Sequence, residues 1–526
     1  MRDCFSICVK IARPLRRLWL FRNGPCPMPC TKTCAAACRS RSRTGCAACG
    51  SACTRHGPRP ERPLSKKRLK DFVMNLFTSQ FRNSQLLASK AHALIPGGCH
   101  TYAKGDDQYP VLAPGFIQRG SGAHVFDVDG HEYIEYGMGN RAVGLGHAYP
   151  PVVRAVREAL QDGCNFTRPS AIELDCAESF LELIEGAEMV KFCKDGSDAT
   201  SGALRLARAY TGRDMVACCA DHPFFSTDDW FIGTTKMSAG IPASVSALTA
   251  TFRYNDIASV EALFEDYPGR IAAIIMEPAR ADEPQDNFLH EAMRIAHENG
   301  ALFILDEMIT GFRWHMRGAQ KLYGIVPDLS CFGKALGNGF AISALAGKAE
   351  YMRLGGLHHT DFPRVFLLST THGAETHAMA AAIATMAIYR DEPVIERLYE
   401  QGAKLAAGIN EVIAGHRLQD HVRLSGRPCC LTYSTLDGNG MPSQAFRTLF
   451  LQETIRRGVL MPSLVVSYTH SDVDIARTID AVHGALDIYV RALNDGVESC
   501  LVGRPSQVVY RRFNEDPASS CPPPRL

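Results

Sequence analysis

The chain has 526 residues, 46% of them hydrophobic and 21% charged, a globular balance with material for two or more domains. No apolar run reaches the roughly 18 residues that a membrane helix needs, so no membrane partner is expected. The net charge of +2 hides an asymmetry: residues 1–73 carry 17 Lys/Arg against three acids, and the remainder carries 40 basic against 52 acidic residues, without the basic stripe that nucleic acid requires.

Residues 1–73 are rich in Arg, Cys, Pro and Ala and show no sustained amphipathic period, so they read as an appendage. An over-long start of translation, with the true start near Met74, is the preferred explanation. An Arg-rich, acid-poor transit peptide is the second. A zinc-binding module is the third and weakest: the steps of four from Cys26 to Cys38 lack histidines, and only Cys46 and Cys49 have C-x-x-C spacing. No resident metal is expected. Beyond the first 53 residues the other 11 of the 20 cysteines are scattered, as buried thiols in a reducing compartment would be. The expected location is cytoplasmic, or organellar if residues 1–73 are a transit peptide.

From Met74 a polar amphipathic stretch leads to the turn signal Ile95-Pro96-Gly97-Gly98. Residues 123–134 read as a strand, an Asp-Gly turn and a second strand. Tyr149-Pro150-Pro151 then opens a helix through Leu160. Short apolar strands follow at 189–192, 215–218, 271–276, 302–305 and 366–368, with helices such as 199–210 and 289–299 between them. That alternation predicts an α/β domain with a largely parallel sheet. Longer amphipathic helices at 394–413, 442–457 and 472–493 predict a smaller α+β region. The expected organisation is an N-terminal segment (74–125) that joins the small domain, a large domain (126–384), a small domain (385–510) and a polar tail (511–526).

In an open α/β sheet, ligands bind beyond the carboxyl ends of the strands. Five candidate groups fall there. Asp306 ends a short buried strand and needs a partner; a pyridinium nitrogen, a helix N-terminus or a salt bridge would each serve. Lys334 stands among Gly333, Gly337 and Gly339, which suits a desolvated lysine that forms a Schiff base as well as an ordinary loop lysine. Gly196 and Ser197 open a helix after a strand, as a phosphate loop or a plain cap. Phe224 and Phe225 follow another strand, where an aromatic stacks on a flat ring or simply fills the core. Ser369-Thr370-Thr371-His372-Gly373 forms a second hydroxyl loop or a turn. No strand is followed by a G-x-G-x-x-G turn, which disfavours a nicotinamide enzyme.

Taken with Pro96-Gly97-Gly98, Asp127-Val128-Asp129-Gly130, Gly146-His147-Ala148-Tyr149-Pro150, Glu277-Pro278, Asp306-Glu307-Met308-Ile309-Thr310-Gly311-Phe312-Arg313 and Phe332-Gly333-Lys334-Ala335-Leu336-Gly337-Asn338-Gly339, the chain resembles the class III pyridoxal-phosphate aminotransferases over residues 85–490, and most closely their glutamate-1-semialdehyde 2,1-aminomutase branch. The resemblance implies a fold-type I α/β architecture, with a large seven-stranded, mostly parallel sheet and a smaller α+β domain built from both chain ends. It implies pyridoxal 5'-phosphate held by Lys334 as an internal aldimine, Asp306 on the pyridine nitrogen and Met308 against one ring face. Phe224 or the neighbouring Phe225 would stack on the other face. Gly196 and Ser197 would bind the phosphate, Glu277 would lie among the cofactor contacts, and Thr371 would reach the phosphate of a neighbouring subunit in a homodimer.

The pocket departs from the branch. Where its members carry Ser-Pro-Val-Arg, this chain has Cys99-His100-Thr101-Tyr102-Ala103-Lys104, and their Ser-Trp-Gly is Gly139-Asn140-Arg141. Lys104, Arg141 and Arg168 are the candidate substrate contacts, with surface ion pairs the alternative for the arginines. A rebuilt pocket predicts an aminotransferase that acts between a small amino donor and an aldehyde or ketone, rather than the aminomutase. A non-catalytic cofactor-binding homologue is the third reading, disfavoured because Asp306 and Lys334 are both kept.

Overall fold

The computed structural model describes residues 81–358 and 360–514. The appendage, the Met74 start and the tail beyond residue 514 lie outside the described residues.

Helix α1 (Arg82–Leu94) opens the described chain. Strands β1 (Ile117–Ser121), β2 (His124–Asp127) and β3 (Glu132–Glu135) follow as an antiparallel meander. The Asp-Gly turn forms as expected. Asp127 Oδ1 accepts the N–H groups of Asp129 and His131 at 3.0 and 2.8 Å, and Gly130 takes a φ of +95° that a side chain would resist. Helices α2 (Pro150–Gln161) and α3 (Ala171–Leu183) come next; proline starts the first, and a Ser170/Glu173 capping box starts the second.

Alternation then sets in. Its elements are β4 (Met189–Cys193), α4 (Gly196–Thr211), β5 (Met215–Cys219), β6 (Thr249–Phe252), α5 (Ile257–Asp266), β7 (Ile271–Met276), α6 (Phe288–Glu298), β8 (Leu302–Asp306), β9 (Leu329–Phe332) and β10 (Ser343–Gly347). The chain continues through α7 (Thr376–Asp391), α8 (Val394–Gly415), β11 (Val422–Ser425), β12 (Thr432–Thr435), α9 (Gln444–Ile455), β13 (Val459–Leu460) and α10 (Asp472–Asp495).

One seven-stranded sheet runs in the order β4-β10-β9-β8-β7-β5-β6. Every pair is parallel except those that β10 makes with β4 and β9. Both faces are covered. On β10, Ala344 and Ala346 join one apolar cluster while Leu345 joins the other, the two-residue period of a strand buried on both sides. The carboxyl ends of β4, β5, β7, β8 and β9 therefore meet along one edge. A second sheet, β1-β2-β3-β13, joins β13 to β3 in parallel, so residues from both halves of the chain share it.

The expected strand at 366–368 does not form. Phe366 is 72% exposed, and the carbonyls of Phe366 and Leu367 accept from Arg205 Nη1 at 2.9 and 2.8 Å. An arginine from α4 answers these backbone groups in place of a ladder. Strand β10 is the opposite case: Ser-Ala-Leu-Ala-Gly has little apolar bulk, yet all five residues are buried.

Arg313 ties the regions around the sheet edge together. Its side chain is fully buried. Nη1 donates to Val466 O at 3.0 Å and Cys429 O at 3.4 Å; Nη2 donates to Val143 O at 3.2 Å and Arg141 O at 3.3 Å. Replacing it with leucine would strand these carbonyls in the interior. Arg313→Leu should lower the free energy of unfolding by about 3 kcal/mol, read as a fall in the urea midpoint at constant slope.

Candidate active site

Lys334 follows β9 in a short 3-10 turn, with a φ of +46°. Non-glycine residues occupy that region rarely and at a cost. The turn is pinned from outside: Asn338 Oδ1 accepts the N–H groups of Gly144 and Leu145 at 3.0 and 2.9 Å, and Asn338 Nδ2 donates to Gly146 O at 3.2 Å. Asp306 ends β8, is 3% exposed, and accepts the Met308 N–H on Oδ1 at 2.9 Å. Glu277 follows β7, is also 3% exposed, and keeps Oε2 buried without a protein partner.

Glu277 acts on the charge of both Asp306 and Lys334. Burial pushes the Asp306 carboxyl well above the usual carboxylate range; the charge of Glu277 adds to the rise and Lys334 opposes it. Burial holds the Lys334 ammonium below the usual lysine range. Asp306 and Glu277 pull it back up, and Arg141 and Arg280 press it further down.

The residues present fit pyridoxal phosphate. Two glycines leave room around Met308: a Cβ on Gly196 would lie 3.0 Å from Met308 Sδ, and one on Gly333 would lie 2.7 Å from it. The thioether thus sits between the candidate phosphate loop and the residue before Lys334. Gly196 and Ser197 open the 16-residue helix α4, whose first N–H groups have no preceding turn to donate to. Ser197 Oγ accepts from the Thr227 N–H at 3.0 Å and from the Thr227 hydroxyl at 3.1 Å, which fixes the loop after β5 beside it.

The two aromatic candidates separate. Phe225 is 2% exposed, with its ring packed near His222 and Phe231 in the core. Its expected stacking role is therefore withdrawn. Phe224 is 44% exposed and meets Phe231 edge-on at 5.8 Å, which leaves surface for a ligand. Phe225→Ala should destabilise the protein by about 3–5 kcal/mol. Phe224→Ala should leave the melting temperature nearly unchanged and weaken cofactor retention on gel filtration.

The candidate substrate residues do not converge. Arg141 lines a cavity of about 470 Å³ with His222, Tyr254, Arg280, Ile309, Trp314 and others. It sits at the end of a left-handed turn, with positive φ at each residue from Met138 to Arg141. Lys104 is exposed and lines a different cavity of about 710 Å³ beneath α1, together with Gly139 and Asn140. Arg168 lies exposed on the loop before α3 and lines neither cavity. Thr371 is also exposed, and its carbonyl accepts from Asn165 Nδ2 at 3.0 Å.

Sequence reasoning missed Arg280 and His222. Arg280 lies four residues past the end of β7, beyond the position that the strand-end rule searches. Nη1 of Arg280 is 3.6 Å from Glu277 Oε1. His222 is buried and accepts the Glu277 N–H on Nδ1 at 3.1 Å. Burial lowers its pKa from 6.5 to about 4. A depressed folded value means that the fold favours the neutral ring. That stability is present above pH 6.5 and is lost as pH falls toward 4, up to about 3 kcal/mol. Over that interval the wild type should lose stability relative to His222→Asn, as compared by urea midpoints.

Comparison with known proteins shows the family. The sequence profile of the family described as "Aminotransferase class-III" matches residues 102–461. A glutamate-1-semialdehyde 2,1-aminomutase from Alkaliphilus metalliredigens is 32% identical over 430 residues, covering 77% of this chain and 96% of its own. Another from Chloroflexus aggregans is 33% identical, covering 78% and 99%. Among solved structures, the FumI protein of Sphingopyxis sp. MTA144, in its PLP internal aldimine form, superposes with a TM-score of 0.72 at 30% identity over 79% of this chain and 98% of that one. An omega-transaminase from Sphaerobacter thermophilus gives 0.69 at 26% identity, over 77% and 97%.

Proposed function

The chain belongs to the class-III aminotransferases, enzymes that depend on pyridoxal phosphate, and on that premise we propose that it moves an amino group between a small amino donor and a separate aldehyde or keto acceptor, with Lys334 as the catalytic residue. Bound pyridoxal phosphate supplies an electron sink for the pair left behind when a proton leaves the carbon beside the amino group. Lys334 Nζ takes that proton and returns it at a neighbouring atom; burial lowers its pKa, which favours the neutral amine that this role requires. Asp306 would pair with the cofactor's ring nitrogen, giving the buried carboxylate a partner. Met308 and Phe224 would pack against the ring, and the first turn of α4 would hold the phosphate. Glu277 and His222 form the wall beside Asp306.

The observation that carries the reading of an anionic substrate is the cavity holding Arg141 and Arg280. Arg427, whose guanidinium lies over the Trp314 ring, is already neutralised by Glu283 through two contacts of 2.8 Å. Arg141 has no ion pair among the described residues, and Arg280 has only the long contact to Glu277. Two incompletely paired guanidinium groups within electrostatic reach of Lys334 suit a substrate with an anionic group, such as a carboxylate or phosphate. Lys104 and Arg168, outside that cavity, are not assigned to it. The enzyme works as a homodimer in the cytoplasm. Exposure of Thr371 supports the shared site, and free thiols at all ten described cysteines support the reducing compartment.

Lys334→Ala should lower turnover by about 10³-fold or more and abolish the cofactor's lysine-dependent absorbance. Full activity in that variant would end the assignment. Arg280→Gln should raise KM for the anionic substrate roughly 10- to 100-fold with little change in kcat. The curated relatives named aminomutase support a second reading. Glutamate-1-semialdehyde converted without any external donor would establish it.

A further inference from the structure

Far along the chain from these residues, the C-terminal end of α8 lies against α10, and three metal-binding side chains gather there: His416, His483 and Asp487. Their candidate ligand atoms lie within 4.8 Å of one another. His416 Nε2 is 3.1 Å from Asp487 Oδ1, and His483 Nδ1 is 3.8 Å from Asp487 Oδ2. Ligand atoms about 2.0–2.1 Å from a tetrahedral zinc ion stand about 3.3 Å apart, so modest rotation of the exposed His483 closes the set. We propose that His416, His483 and Asp487 bind a zinc-class divalent transition metal, with water as the fourth ligand.

The hydrogen bonding of His416 favours a cation at this point. Nδ1 lies 2.9 Å from the carbonyl of Val412, so it carries the proton and donates it. Nε2 then presents its lone pair to a carboxylate oxygen of Asp487, where one ion can bridge the two. The two imidazole rings are 4.7 Å apart, so the same ion can reach both. Ring orientation by a backbone carbonyl is the usual arrangement behind a metal-binding histidine. The last carbonyls of the 22-residue helix α8 also point toward His416 and favour a cation. His483 and Asp487 stand four residues apart on one face of α10, so the ion would fasten α8 to α10.

The test uses the full-length holoenzyme. Wild type, His483→Ala and Asp487→Asn are loaded with zinc, desalted and assayed for bound metal, and their melting temperatures are compared with and without zinc. Both substituted side chains are mostly exposed, so the fold should survive, and retained cofactor absorbance reports that it has. The cysteine-rich residues 1–53 are common to all three proteins, so any zinc they hold cancels in the comparison. The expected result is one equivalent less zinc in each variant, and a zinc-dependent rise in melting temperature of a few degrees in wild type that both variants lose. Equal zinc uptake in all three proteins, or an equal thermal shift, overturns the proposal and leaves an ordinary histidine–carboxylate pair.

Discussion

The structure is organised around an electrostatic difficulty: Asp306 and Glu277, each 3% exposed, share a site with one amine, that of Lys334. Burial disfavours charge on Asp306 and on Lys334. One ammonium stands between two carboxylates, and Glu277 also has Arg280 at 3.6 Å. Arg141 and Arg280 bring positive charge to the rim and pull Lys334 the other way. On the proposed reading, a protonated ring nitrogen would give Asp306 a close partner, and the arginines at the rim are left for an anionic group.

Glu307 shows how differently an adjacent carboxylate can be employed. It too is buried, and burial pushes its carboxyl up to about 7. Yet its oxygens accept the N–H groups of Ala319 and Gln320, at 2.8 and 2.6 Å, and the hydroxyl of Thr310. Nothing is left for a ligand. Asp306 is proposed to meet the cofactor, whereas Glu307 folds the following loop back, and that loop delivers Arg313 to the carbonyls of Arg141 and Val143. The strained turn that presents Arg141 is therefore supported from within. Positive φ at Lys334 and Asn338 is held in the same way by the Asn338 amide.

What could be read from the sequence divides along a physical line. Asp306 and Lys334 were legible because a polar residue directly after an apolar strand has few places to go. The hairpin at Asp129-Gly130 was legible because its signals are local. Strand β10 was not: its residues are small, and burial comes from neighbours distant in sequence. The segment at 366–368 misled because apolar character cannot show that Arg205 occupies the carbonyls. Phe224 and Phe225 differ only in which way the backbone turns them, and composition carries no record of that. Arg280 was overlooked because it lies four residues past β7, not directly at the strand end. Domain boundaries drawn from composition remain a reading of pattern, since elements from both halves of the chain share one sheet.

That shared sheet has a bearing on how the protein is made. Strand β3 leaves the ribosome early, but β13, which pairs with it through Val459 and Leu460, emerges more than 300 residues later. All seven strands of the large sheet are synthesised in between. Closing so long a loop is slow and entropically costly. The cofactor-binding core can therefore condense on the nascent chain while one edge of β3 waits unpaired. In the growing polypeptide that edge needs shielding from its neighbours until the last quarter of the message has been translated.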